Sequence, residues 1–174
     1  QGRLVNKEEG EWISLIPANT RYRMVAYDIN ISPEGTVSGD TKFTYKQYAA
    51  YDERSKYHSF EEESKYVDDL IYDIPGLSIT DFKTIDLDSL YKSFSLKYHY
   101  EIDGYAEVAG DLLFFNPLIF TRVRENIFTK AEERQYPVDF KVPVKETISA
   151  TIKIPEGYEI DAIPETKVFV TPDK

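Results

Sequence analysis

From Lys145 to Ile154 the chain alternates. Ile148, Ala150, Ile152 and Ile154 fall on one side, and Thr147, Ser149, Thr151 and Lys153 on the other. A period of two is the pattern of a strand with one buried and one wet face, and it places Ile152 in a core. The same pattern runs twice through Arg21–Lys46. Val25, Tyr27, Ile29 and Ile31 share one face of a first strand, and Val37, Thr41, Phe43 and Tyr45 share one face of a second. Ser32-Pro33-Glu34-Gly35 supplies the turn between them, because Pro presets φ and Gly accepts a positive one. Gly39 falls on the inward face, where a bulge or a close backbone approach is expected. Leu77–Lys83 reads as a short strand. Lys92–Ile102 points Phe94, Leu96, Tyr98, Tyr100 and Ile102 inward, with Ser93, Ser95, Lys97 and His99 outward, and ends at an Asp103-Gly104 turn.

The period changes between Gln47 and Ile74. Tyr57, Phe60, Ser64, Val67, Ile71 and Ile74 recur three and four apart, which predicts one long helix stopped by Pro75-Gly76. Asp111–Phe120 is the most apolar run. Pro117 divides it, so the expectation is a buried strand, a kink and a second buried segment. Arg122–Arg134 is polar and reads as irregular. Hairpins around a single helix predict an α+β fold: a mostly antiparallel sheet or sandwich with the helix at about 47–74 packed on it. Residues 1–20 read as an arm and 21–174 as one β-rich domain, with a weak boundary near 116–135. The alternative is two small β domains meeting there.

Composition narrows the function classes. Aromatic residues make up 14% of the 174, with 14 Tyr and 10 Phe, which favours pleated surfaces. The formal net charge is −10. Nucleic acid and anionic membrane surfaces both need a basic face, so neither is an expected partner. No apolar run approaches the roughly 20 residues of a membrane span. Cysteine is absent, which removes disulfides, thiol catalysis and thiolate metal sites. The sequence opens at Gln1-Gly2-Arg3 without Met, and we read it as a piece of a longer protein.

Candidate chemistry is sparse. His58 and His99 are the only histidines, and both fall on charged or wet faces; two histidines without cysteine make a poor metal set. Asp86 and Asp88 lack the central Gly and closing Glu of a calcium loop. Asp68, Asp69 and Asp73 read as a solvated acidic face. Paired carboxylates that hydrolyse glycosides need a set separation across a cleft, which no motif here specifies. Neither a Gly-x-Ser-x-Gly elbow nor a phosphate-cradling glycine loop occurs. Asn30-Ile31-Ser32 matches a glycosylation pattern but runs into Pro33 and is set aside. The tyrosines are the least ordinary feature. Most are explained by inward strand positions, and an exposed row would suit a sugar or peptide.

One segment carries a family resemblance. Glu132 to Phe140, read with the turn Ile154-Pro155-Glu156-Gly157-Tyr158 and Ile163-Pro164, is similar to a bacterial domain of unknown function. That domain follows a transglutaminase-like domain in multidomain envelope proteins. Gln47-Tyr48-Ala49-Ala50 and Arg54 resemble the helix that precedes it. Asn126-Ile127-Phe128 departs from the expected Asn-Pro-Phe, and the chain stops short of the family's final strands. The resemblance implies a non-catalytic accessory module without a cofactor, periplasmic or at the cell surface. The family's catalytic Cys-His-Asp set would lie in the upstream domain. The partner would be that domain or a surface protein or glycan. The expected contact is the apolar arm Trp12, Ile13, Leu15 and Ile16, whose alternative role is to cap the domain's own sheet. A glycan- or peptide-binding module, and a hydrolase using paired carboxylates, are the competing functions.

Overall fold

A computed structural model describes residues 2–5, 10–121 and 140–170. The strands are β1 (Gly2–Val5), β2 (Gly10–Ile13), β3 (Arg21–Ile31), β4 (Val37–Gln47), β5 (Leu77–Ile85), β6 (Phe94–Ile102), β7 (Glu107–Ala109), β8 (Leu112–Phe114) and β9 (Val144–Lys153), and the helices are α1 (Tyr48–His58) and α2 (Glu63–Tyr72). Five strands form one sheet in the order β5-β6-β4-β3-β9, while β1-β2 and β7-β8 are separate two-stranded hairpins.

The β3–β4 hairpin forms as the alternation predicts. Val25, Tyr27, Ile29, Val37, Thr41, Phe43 and Tyr45 are all buried on one face. At the turn the Ser32 carbonyl accepts from the Gly35 N–H at 3.0 Å, and the Ser32 N–H donates to the Thr36 carbonyl at 2.9 Å. Gly39 is required on packing grounds: a Cβ there would lie 2.0 Å from the Asp28 carbonyl oxygen. That carbonyl instead accepts the Tyr100 hydroxyl at 2.6 Å. β6 pairs with β4 from Val37↔Ile102 to Tyr45↔Phe94, which sets Phe94, Leu96, Tyr98, Tyr100 and Ile102 beside the β4 core residues. Ser95, expected outward, is also buried: its hydroxyl lies 3.2 Å from that of Thr44 on the central strands of the opposite face.

Four expectations need correction. The main sheet is mostly antiparallel as expected, but it is mixed, because β9 runs parallel to β3 from Arg21↔Val144 to Asn30↔Lys153. A parallel neighbour needs a long crossover, and the chain from β6 to β9 provides one. The described residues form no second full sheet of the kind a sandwich requires.

The long helix is two helices. The Ser59 and Phe60 N–H groups fold back onto the Lys56 and Tyr57 carbonyls, Glu62 is extended, and α2 starts afresh at Glu63. Each helix has its own buried face. α1 buries Ala49, Ala50 and Arg54. α2 buries Tyr66, with Leu70, Ile71 and Ile74 packed beside it. A single stripe through the exposed Ser64 could not serve both. Lys56 and Asp69 tie the two helices at 2.7 Å.

The third correction concerns Leu112–Phe115. β8 pairs only with β7, and Leu112 and Phe114 are exposed. The kink at Pro117 does lead into a buried segment, where Ile119 is covered and Phe120 packs on the core.

The fourth is Ile152. The strand and its alternation are as read, yet Ile152 is 41% exposed and only Ile148 on that face is half-buried. The helices lie over β3, β4, β5 and β6 and do not extend over β9. Periodicity therefore put Ile152 on the core side of a sheet edge that has no cover among the described residues. The expected irregularity at Arg122–Arg134 lies wholly outside the described residues, as does the resemblance segment 132–139.

Because Ile29 has no exposed surface and pairs with Ile152, the two isoleucines test the burial pattern. Ile29→Ala should cost about 2–5 kcal/mol through lost transfer energy and a cavity. Ile152→Ala should cost less than about 1 kcal/mol. Denaturant melts of the two variants check this, and equal costs would mean that β9 is covered.

Candidate functional site

Five aromatic rings stand in a near-parallel rank across three strands. Phe94, Tyr45, Phe43, Tyr98 and Phe82 follow one another at centroid spacings of 6.0, 6.2, 6.0 and 6.1 Å. Their order follows from the register: alternate residues of β4 and β6 face the same way and sit opposite one another. Phe120 meets Phe43 and Tyr98 edge-on at 5.8 and 6.0 Å. Between this floor and the helices lies a cleft of about 730 Å³. Its floor is Phe43, Tyr45, Leu96 and Tyr98, one wall is Glu53 and Lys56 of α1 with Leu70 and Ile74 of α2 and its C-terminal flank, and the other is Ile119–Phe120. That size and lining suit a small ligand or a side chain.

Polar groups within the cleft divide into satisfied and unsatisfied ones. Arg23 pairs with Glu146, and Lys56 with Asp69. Tyr66 donates to Glu53 Oε1 at 2.6 Å. Tyr45 and Tyr98 are 7% and 3% exposed overall and bond no other described residue through their hydroxyls. The buried side-chain atom without a partner among the described residues is Thr121 Oγ1, not either phenol oxygen, so both hydroxyls reach the open cleft they line. Burial pushes the Tyr45 phenol well up, and the nearby Glu53 charge adds to the effect. Burial, then Tyr100 and Glu53, raise Tyr98. Burial, and then Glu53, raise Tyr66. Tyr57 is pushed up to about 12 by burial and by its bond to Glu63. These phenols stay protonated at neutral pH. They are hydrogen-bonding groups, and none is poised as a base or nucleophile.

The residues singled out from sequence lie elsewhere. Trp12 and Ile13 are on β2, and Leu15 and Ile16 follow it. All four are exposed, and the β1–β2 hairpin shares no ladder with the main sheet. Arg3 lies over the Trp12 ring at 5.9 Å. Asp86 binds Lys92 at 3.1 Å, while its carbonyl belongs to the loop held by Arg54. Asp68 faces Lys65 at 3.5 Å. Asp73 lines the cleft with Asp69. His99 lies 3.5 Å from Asp40 on the wet face, and His58 ends α1. No group of three or more His, Asp or Glu among the described residues is placed to hold a metal ion.

Sequence reading did not single out Glu53. The available signal was its position between Ala50, Arg54 and Tyr57, one turn away on the buried side.

The tyrosines predict an alkaline limit. Their pKa values are raised in the folded chain, so the folded state keeps protons that the unfolded chain releases above about pH 10. Stability from these groups is fully present below that pH and is lost as pH rises toward the folded values. Tyr66→Phe should make the alkaline fall shallower. Denaturant melts across the alkaline range, with tyrosinate absorbance, measure both.

Residues 111–173, just over a third of the chain, match the family model described as Domain of Unknown Function with solved-structure structure (DUF3858). No curated protein matches, and no solved structure matches.

Proposed function

We propose that this chain is a non-catalytic interaction module of a larger envelope protein, lying in the periplasm or at the cell surface. Its N-terminal hairpin would dock on a transglutaminase-like domain that precedes it. The observation that carries the reading is the exposed apolar arm. Trp12 is 67% exposed, Leu15 65% and Ile16 80%, on a hairpin outside the main sheet. Apolar surface of this kind marks interaction sites in soluble proteins. The match of residues 111–173 to a domain of unknown function is compatible with the resemblance that suggests the upstream partner. No helix among the described residues is long and apolar enough to cross a membrane.

A second reading, a module that binds peptide or glycan, is favoured by one specific observation. Tyr45 and Tyr98 line the cleft with hydroxyls that bond no other described residue and reach its open space, where a guest can use them.

Trp12 is the single tryptophan, so its fluorescence reports the arm directly. Adding the preceding transglutaminase-like domain should shift the emission to the blue and slow hydrogen exchange over residues 12–16. Trp12→Ala should weaken that association while leaving the melting temperature of the isolated chain within a few degrees. Unchanged emission and exchange in the joined protein would leave the two as independent beads and end the docking proposal.

A further inference from the structure

We infer that the cleft beside Glu53 receives a cationic side chain, lysine or arginine, carried by a partner polypeptide. The inference rests on the second reading above, that the cleft binds a ligand, and it names the chemistry of that ligand.

Charge balance is the first argument. Arg23 and Lys56, the cations lining the cleft, are each already paired, with Glu146 and with Asp69. Glu53 forms no ion pair among the described residues. Among the described residues its one hydrogen bond is from the Tyr66 hydroxyl at 2.6 Å, and it is half-buried; Lys56, whose Nζ lies 5.7 Å from the Tyr66 ring centre, is paired with Asp69. A partly desolvated carboxylate without a cation is costly, and a guest cation offsets that cost. Its second carboxylate oxygen remains available as an acceptor.

Hydrogen-bonding capacity is the second. The unpartnered Tyr45 and Tyr98 hydroxyls lie in the field of the same carboxylate. Phenol oxygens accept from ammonium or guanidinium N–H groups, so a cationic head bound at Glu53 can also bond a neighbouring tyrosine hydroxyl.

Shape is the third argument. Leu70, Ile74 and Phe120 line the cleft, which suits the apolar stem of a lysine or arginine whose head stays polar. The chain's net charge of −10 also draws basic partners into encounter. A sugar is a poorer fit, because stacking needs an open ring face and the floor tyrosines are almost fully covered. An anion would meet the Glu53 charge.

The test uses the full chain and two blocked tripeptides, Gly-Arg-Gly and its neutral isostere Gly-citrulline-Gly, with a neutral peptidoglycan fragment in a third arm. Calorimetric titration should show the arginine peptide binding at least roughly tenfold more tightly than the citrulline peptide, as a charge-assisted bond requires, and weakening with salt. Glu53→Gln keeps an acceptor for Tyr66 and should lower arginine-peptide affinity roughly tenfold without moving citrulline-peptide binding. Tyr45→Phe should weaken the arginine peptide by a smaller factor. If Glu53→Gln does not fold, the comparison of the two peptides on the unaltered chain decides. Equal binding of the two peptides, or preference for the glycan fragment, overturns the cationic assignment while leaving a ligand cleft. Binding of none of the three overturns both.

Discussion

The fold depends on how its buried tyrosines place their hydroxyls. An aromatic core of this size buries area well, but each phenol brings a polar tip that must find a partner. Tyr100 reaches the Asp28 carbonyl at 2.6 Å, across the gap that Gly39 leaves by having no Cβ. Tyr27 donates to the Pro117 carbonyl and so ties the segment after β8 to the sheet. Tyr66 crosses from α2 to Glu53 of α1 and so ties the two helices together. The first two bonds join elements far apart in sequence and the third joins consecutive helices, and together they fix the helix layer and Phe120 over the same floor. Tyr45 and Tyr98 are the two members of the set whose hydroxyls the described residues leave unanswered. The cleft is therefore the place where hydroxyls of the aromatic floor face open space.

A second buried polar group solves a different problem. Arg54 is 5% exposed, and its guanidinium donates to the carbonyls of Leu87, Asp86, Ser89 and Lys92 at 2.8–3.0 Å. The loop between β5 and β6 has little regular structure of its own, so its carbonyls need donors from outside. One planar group with five N–H donors supplies them. The guanidinium carbon also lies 5.5 Å from the centre of the Phe94 ring, at the end of the aromatic rank. The charge is held by carbonyl dipoles and an aromatic ring, without a carboxylate, and α1 is anchored to the β5–β6 end of the sheet as a result. Lysine has neither the fork nor the reach to bridge four carbonyls.

What the sequence made legible follows from what periodicity encodes. Alternation reports which residues share a face, and the inward sets of β3, β4 and β6 were readable residue by residue. The rank of rings was implicit in those sets once the register was known. Alternation does not report whether a face is covered. Ile148, Ala150 and Ile152 carry the same pattern as Val25, Tyr27 and Ile29, but they sit on the edge strand beyond the helices. The helix break was hidden for a related reason: positions three and four apart continue across Ser59–Glu62, although the chain there turns to give each helix its own buried face. Of the cleft, the floor was legible and the carboxylate was not, because a glutamate in a charged helix is ordinary until the fold places three tyrosines around it.

The position of β9 also bears on what the match at residues 111–173 can mean physically. Those residues include β8, the buried Ile119–Phe120 segment and β9, but not β3 to β6 or the helices. Among the described residues, β8 pairs only with β7, whose three residues precede the matched stretch, and β9 pairs only with β3. A ten-residue strand has no stability by itself, and the ladder that holds it among the described residues is with residues 21–30. Ile119 is buried, and Phe120 packs against rings of β3, β4 and β6. The described part of the matched stretch therefore takes its ladder and its core contacts from the residues before it. Sequence similarity begins near residue 111, while the packing unit that contains β9 begins no later than Arg21.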